Sequence, residues 1–312
     1  MTPRRWIIGR GLLGSAIARS RPDLPFRAPV PWADPPAAGR ALARGLDAFL
    51  AEAPGPVEIY WCAGKGVTST PRADLDDEVR VFGAFLDALT ATDERDRDRV
   101  AIFLASSVGG AYAASLSPPF TENTPVAAAS EYGRAKLRME AALQTASVRG
   151  GLRSFIGRIT NLYGPGQDLA KGQGLISVIM GSYITGRPVS IYVSLDTLRD
   201  YVYEDDCAQV ITVALHRTAQ QPPGTVVTKI IGGTTAISIG AILGETNRLR
   251  RRRAPVILGG GDPRGQSLDL RVRSEVWTDL DGLVRTTFSE GLDAVYRAQL
   301  SGFAMGGLAP RR

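Results

Sequence analysis

The chain has 312 residues, with 37 basic against 31 acidic side chains for a net charge of +6, and 44% of its residues are hydrophobic. That length can bury one large core or two closely joined domains. The charge is too mild and dispersed to imply a nucleic-acid partner, and no apolar run reaches the roughly 18 residues of a membrane span. Two cysteines, Cys62 and Cys207, cannot build a disulfide framework and suggest a reducing, cytoplasmic setting as small buried residues. The lone histidine, His216, reads as a helix-end residue and leaves no metal constellation or histidine-based triad to assemble.

In chain order, "RRWIIG" predicts a short buried strand rather than a secretory leader, and "GRGLLGSAIARS" a glycine turn opening a helix. "LPFRAPV" is peppered with proline and predicts only a short strand. "PAAGRALARGLDAFLAEA" has helical spacing, "PVEIYWCAG" is a strand ending in small residues, and "LDDEVRVFGAFLDALTA" is the next helix. "DERDRDR" reads as a charged surface connection. "VAIFLASS" is a strong strand, 131–147 a helix and "LRSFIGRIT" a strand. Such alternation implies an α/β fold, a Rossmann-type doubly wound parallel sheet covered on both faces. After "NLYGPGQ" the pattern loosens into a smaller C-terminal substrate-binding lobe. The expected division is a dinucleotide-binding domain over 1–165, rejoined at about 200–232, with the lobe at 166–199 and 233–312. The cluster Arg248 and Arg250–Arg253 ends a helical segment, where cations suit the helix C-terminus and are mostly solvated.

Gly9, Gly11 and Gly14 form G-x-G-x-x-G between strand and helix, a turn that lets the backbone approach a pyrophosphate; Leu12 and Leu13 lie within it. The acidic residue usual about 20 positions on, which would hold a ribose 2′-hydroxyl, is missing, and "FRAPVPW" stands there instead. Arg10 and Arg27 with no carboxylate suit a 2′-phosphate, favouring NADP over NAD.

Tyr132 and Lys136 share a helix face at i, i+4. A phenol titrates near 10 and is a poor acid or base at neutral pH unless a nearby cation stabilises its phenolate. Only four of the 37 cations are lysines, and an ammonium is a compact charge that arginine does not reproduce. Upstream, Ser106 and Ser107 end a strand, the edge at which open α/β sheets bind ligands, with Ala63 and Gly64 at the end of its neighbour. A hydroxyl there can orient the oxygen that exchanges a proton with Tyr132.

Together, "GRGLLGSAI" (9–17), "LASSVGGAY" (104–112), "EYGRAK" (131–136), "RITNLYGPGQ" (158–167) and "LRDYVYEDDCAQV" (198–210) resemble the extended short-chain dehydrogenase/reductases of the NAD-dependent epimerase/dehydratase family. Members mostly act on nucleotide sugars. The resemblance implies an oxidoreductase or isomerase in which Tyr132 is the acid/base, Lys136 its activator and a ribose ligand, and Ser107 the substrate-orienting hydroxyl. It implies cofactor contacts from Ser106, Ala63 and Gly64, substrate contacts from Asn161 and Arg199, and a nucleotide-sugar substrate undergoing 4-epimerisation or 4-keto reduction. It also implies a homodimer through helices 75–90 and 131–147, with Val81, Phe85, Leu137 and Leu143 facing outward. Glu78 stands where the family usually has Asn. A non-catalytic dinucleotide sensor and a reductase of a non-sugar hydroxy compound remain the alternatives.

Overall fold

The computed structural model describes residues 2–168, 174–233, 235–259 and 267–305. In chain order the elements are β1 (Arg4–Ile8), α1 (Leu12–Arg19), α2 (Pro35–Glu52), β2 (Val57–Trp61), α3 (Arg72–Thr90), α4 (Glu94–Asp98), β3 (Val100–Ser107), α5 (Val108–Tyr112) and α6 (Glu131–Gly150). There follow β4 (Arg153–Ile159), β5 (Asn161–Tyr163), α7 (Leu175–Thr185), β6 (Val189–Ile191), β7 (Leu198–Arg199), β8 (Tyr201–Tyr203), α8 (Glu204–Thr218) and β9 (Val226–Ile231). The last are β10 (Ile237–Ser238), α9 (Ile239–Arg250), β11 (Val256–Leu258) and α10 (Phe288–Ala304).

Five strands pair in parallel in the order β1-β2-β3-β4-β9. Because each is buried on both faces, they read as continuous apolar runs. On one face α2, α3 and α6 close over Trp6, Phe49, Trp61, Phe82 and Leu143. On the other, α1 and α8 pack over Ile7, Tyr60, Phe103 and Phe155. The fold is the expected Rossmann-type α/β sheet. Of the strand expected over "LPFRAPV", only a bridge of Phe26 to Trp6 forms. Prolines at 25, 29 and 31 deny it a ladder, and Phe26 is held by packing on Trp6 and Phe49 at centroid distances of 5.5 and 5.2 Å.

The smaller lobe gathers α7, α9, α10 and the two-stranded pairs β6–β11 and β7–β10 around a core of Ile179, Met180, Ile242 and Leu292. Residues 270–284, expected in that lobe, return to the main body. Val272 bridges Phe120, Leu280 enters the core under α8, and Lys229 of β9, wholly buried, donates to Ser274, Val276 and Asp281 at 2.7 Å each. The arginine cluster is mostly exposed, as expected, with Arg250 half-buried, and two of its members also make contacts. Arg250 lies 3.5 Å over the Tyr296 ring, and Arg252 donates to the Tyr183 carbonyl. "DERDRDR" likewise does more than connect: Arg97 and Arg99 donate to Thr90, Gly150 and Leu50, carbonyls at the ends of α3, α6 and α2.

Three of the four residues expected on an outward helix face are inward. Val81, Phe85 and Leu143 belong to the core beneath α3 and α6, and Leu137 is partly buried against the small cluster that contains Val108, Tyr112 and Phe120. Fully burying one such side chain is worth about 1.5–3 kcal/mol, a gain already made within the monomer. The exposed surface of these helices is instead charged, with Asp76 bonded by Arg138 and Glu131 by Arg134. His216 does stand in the last turn of α8, exposed, 3.7 Å from the buried Glu58 carboxylate. Among the described residues no helix is long and apolar enough to cross a membrane.

Candidate active site

The glycine turn sits at the C-terminal end of β1, beside the C-terminal end of β2, and its geometry excludes side chains where the backbone must close. Gly9 has φ of +91°, and a Cβ there would lie 2.4 Å from the Ala63 nitrogen; one at Gly14 would lie 1.9 Å from the Gly9 carbonyl oxygen. Gly11 instead borders open space: a Cβ there would meet nothing within 4 Å. It begins α1 with no side-chain cap and no acidic residue in the first turn, leaving the helix N–H groups and their positive end exposed to an anion.

Two cavities meet at this turn. One, of about 430 Å³, is lined by Gly9, Arg10, Ser15, Arg27 and Trp32; the other, of about 600 Å³, runs from Gly9–Gly11 and Trp32 past Ala63 and Gly64 to Glu78. Burial and the neighbouring cations Arg27 and Arg5 lower the Arg10 guanidinium below its ordinary pKa. Neither Arg10 nor Arg27 has a carboxylate partner among the described residues. The nearest carboxylate beyond "FRAPVPW", Asp34, caps α2 by accepting from Ala37 N at 3.0 Å. Two neighbouring guanidiniums at an uncapped helix start fit a phosphorylated dinucleotide. Cys62 lines the larger cavity, but burial raises its thiol well above the ordinary range, so it carries no nucleophilic thiolate at neutral pH.

At the far end, the expected proton-transfer residues converge. Gly110 of α5 and Gly133 of α6 touch so closely that a Cβ on Gly133 would lie 2.4 Å from the Gly110 carbonyl oxygen, and this contact draws the start of α6 onto the end of β3. A Cβ on Gly110 would lie 3.3 Å from Ser107 Cβ and 3.6 Å from Tyr132 Cε1, one on Gly66 3.4 Å from Tyr132 Cδ2, and one on Gly64 3.6 Å from Lys136 Nζ. Lys136 Nζ stands 5.8 Å from the Tyr132 ring centroid, is 9% exposed, and donates to the Ala105 carbonyl at 3.3 Å. Ser107 caps α5 by accepting from Gly110 N, which leaves its own hydroxyl hydrogen for another acceptor.

Ser106 does not share that crevice. Adjacent residues on a strand face opposite ways, and its hydroxyl donates to Glu140 in the interior. Glu140, one turn past Lys136, also accepts from Arg158 Nη2 at 2.7 Å and Nε at 3.1 Å, while Arg158 Nη1 donates to Tyr112 Oη at 2.6 Å. Burial works against the Arg158 charge, but Glu140 more than offsets it and raises the guanidinium above its ordinary range. The Ser106 contribution is therefore to α6 docking, not to a side-chain cofactor contact. Glu78, in the family's Asn position, accepts from Lys65 N at 2.5 Å and Gly66 N at 2.8 Å and so fixes the loop beside Tyr132.

The two expected substrate residues lie outside both cavities. Asn161 of β5 donates from Nδ2 to the Asp200 carbonyl at 2.7 Å, and Arg199 of β7, largely buried, donates to the Leu198 carbonyl at 2.8 Å. Asp200 between them is buried and accepts from Gly233 N at 2.6 Å; burial pushes its carboxyl up to about 6. The motif around 198–203 thus joins the two lobes.

The sequence profile described as the NAD dependent epimerase/dehydratase family matches residues 9–228. The chain belongs to this family of enzymes. Among curated relatives, it is similar to dTDP-4-dehydro-6-deoxyglucose reductase of Escherichia coli, at 32% identity over 114 residues, 36% of each chain. It also matches a putative UDP-glucose 4-epimerase of Methanocaldococcus jannaschii, at 29% identity over 141 residues, 45% of each. Each match covers less than half of the relative. Among solved structures, MoeE5 in complex with UDP-glucose and NAD superposes with a TM-score of 0.73 at 20% identity, covering 96% of this chain and 99% of that one. The UDP-glucose 4-epimerase of Thermus thermophilus, complexed with NAD, gives 0.71 at 18% identity, covering 92% and 96%. At these identities the structural likeness is one of fold.

Removing one partner of the Glu140–Arg158 pair strands the other charge in the interior. Glu140→Ala is expected to lower unfolding free energy by about 3–5 kcal/mol in urea denaturation. A loss under about 1 kcal/mol would show that the pair does not hold α6 in place.

Proposed function

We propose that the chain is a nicotinamide-dinucleotide-dependent enzyme acting on a nucleotide sugar, by 4-epimerisation or 4-keto reduction, with NADP preferred over NAD. The observation that carries this reading is that Tyr132 and Lys136 both border the Gly64–Gly66 segment, where the cavity from the glycine turn ends, while Tyr132 and Ser107 share the surroundings of Gly110. Family membership and the relatives' named reactions on dTDP- and UDP-sugars support the substrate class.

In this reading Gly9, Arg10, Gly11, Leu12, Leu13 and Gly14 hold the pyrophosphate, with Arg10 and Arg27 on a 2′-phosphate and Ala63 and Gly64 along the cavity. When bound, the nicotinamide supplies the hydride donor or acceptor. Tyr132 Oη exchanges the proton at the sugar oxygen undergoing oxidation or reduction, and Ser107 Oγ donates to the same oxygen to fix its direction. Lys136, poorly solvated beside the ring, supplies the one compact positive charge next to Tyr132 among the described contacts and reaches ribose hydroxyls. An arginine fork, planar and with its charge delocalised, is not equivalent to this compact ammonium donating to Ala105. Asn161 and Arg199 are assigned to the sugar-diphosphate portion by family resemblance. Pairing of the α3 and α6 surfaces into a homodimer would be carried by their charged residues.

Tyr132→Phe is expected to reduce turnover of a keto-sugar or epimerisable nucleotide sugar by about 10²–10⁴-fold, the usual worth of a positioned acid/base, with dinucleotide affinity little changed. Normal turnover by this variant would refute the assignment. Arg27→Ala is expected to weaken NADPH binding about tenfold while leaving NADH within about twofold, measured by calorimetry, the loss of one charge-assisted phosphate contact. Equal losses for both would contradict a 2′-phosphate role.

A further inference from the structure

The proline-rich stretch "PVPWADPP" has no part in the function described above, yet it holds a tryptophan at the junction of both cavities. Trp32 lines the smaller cavity with Arg10 and Arg27 and the larger one with Ala63 and Gly64. It is 41% exposed, which is unusual for the largest apolar side chain. Its backbone is stiff: prolines stand at 29, 31, 35 and 36, Trp32 N donates to the Val30 carbonyl at 3.0 Å, and Asp34 N to the Pro31 carbonyl at 3.1 Å. Its ring meets that of Trp61 at 6.4 Å and 84°, and Trp61 is itself locked against Phe82 and Phe85 at 4.7 and 5.2 Å. The indole is thus held in place on one side by rigid neighbours and left open on the other.

Two further features indicate what covers it. Arg10 and Arg27 lie on the smaller-cavity side, so a ligand phosphate is expected there. Asp74 of α3 lines the larger cavity together with Trp32, and a carboxylate accepts from donors such as an exocyclic amine. A purine carrying an amine, joined through its ribose to a phosphate, offers a partner to each of the three: the apolar wall, the acceptor and the cations.

We propose that Trp32 is the aromatic wall against which the adenine ring of the dinucleotide stacks, making it an affinity-determining residue of this chain. This rests on the dinucleotide reading above. The test titrates the full chain with adenosine 2′,5′-bisphosphate, which carries the adenine end alone, and with nicotinamide mononucleotide. Calorimetry and tryptophan emission provide the readouts. Trp32→Leu should weaken the adenosine compound by about tenfold and leave the mononucleotide unchanged, whereas Trp32→Phe, which keeps an aromatic face, should stay within about threefold. In the wild type, the adenosine compound should quench the part of the emission that Trp32→Phe removes, a readout independent of whether the leucine variant folds. Wild-type affinity in a folded Trp32→Leu, or an unquenched Trp32 component, would overturn the stacking role and leave the dinucleotide reading intact. Failure of the wild type to bind either compound or NADPH would overturn both.

Discussion

The docking of α6 onto the end of β3 is the constraint on which the site depends. A helix can carry Tyr132 and Lys136 on one face through spacing alone, but only a fixed helix can hold them beside Ser107 and the glycine-lined crevice. Two devices fix it: the Gly110–Gly133 contact at the helix start and the buried Glu140–Arg158 pair one turn beyond Lys136. A buried ion pair gives little net stability against an apolar replacement, yet it is costly to break, so it suits positioning better than stabilisation. Ser106 and Arg158 both donate to Glu140, and Arg158 also donates to Tyr112, whose hydroxyl donates to the Thr121 carbonyl, so each member of this network has a partner.

The same logic governs the other end of the cavity. Arg5, also wholly buried, donates to the carbonyls of Ile17, Arg21 and Asp23 and to the Asp23 carboxylate, and so anchors the turn that follows α1. With α1 anchored at its C-terminal end and pressed on β1 through Gly14, its uncapped start has a fixed direction toward the cavities. Among the described residues, Arg10 and Arg27 have no counter-charge at that start. Mutual repulsion of two cations is tolerated where an anion is to be received, and Asp34, engaged at the start of α2, does not cancel it.

Elements set by local pattern were legible in the sequence. The alternation of apolar strands with amphipathic helices yields the parallel sheet, and the glycine turn and the Tyr132–Lys136 spacing are visible because their parts lie within one turn or one helix. What could not be read depends on partners distant in the chain. Glu140 looks like any charge on a helix until Arg158 and Ser106 meet it, and Lys229 gives no sign of its contacts with residues 274–281. Val81, Phe85 and Leu143 carry the same apolar signal whether they face a partner subunit or the monomer's own core, and here they face the core. Ser106 and Ser107 differ only in which side of β3 they point to, which register decides and composition does not.

The central claim is that Ser107, Tyr132 and Lys136 act on one substrate oxygen beside the glycine-lined crevice. A crystal structure of the chain with NADP and a nucleotide sugar tests it most directly. The account predicts Tyr132 Oη and Ser107 Oγ both within hydrogen-bond distance of the same sugar oxygen and Lys136 Nζ on the nicotinamide ribose. A bound sugar whose reacting oxygen meets neither hydroxyl, or a phenol turned away from the crevice, would contradict it.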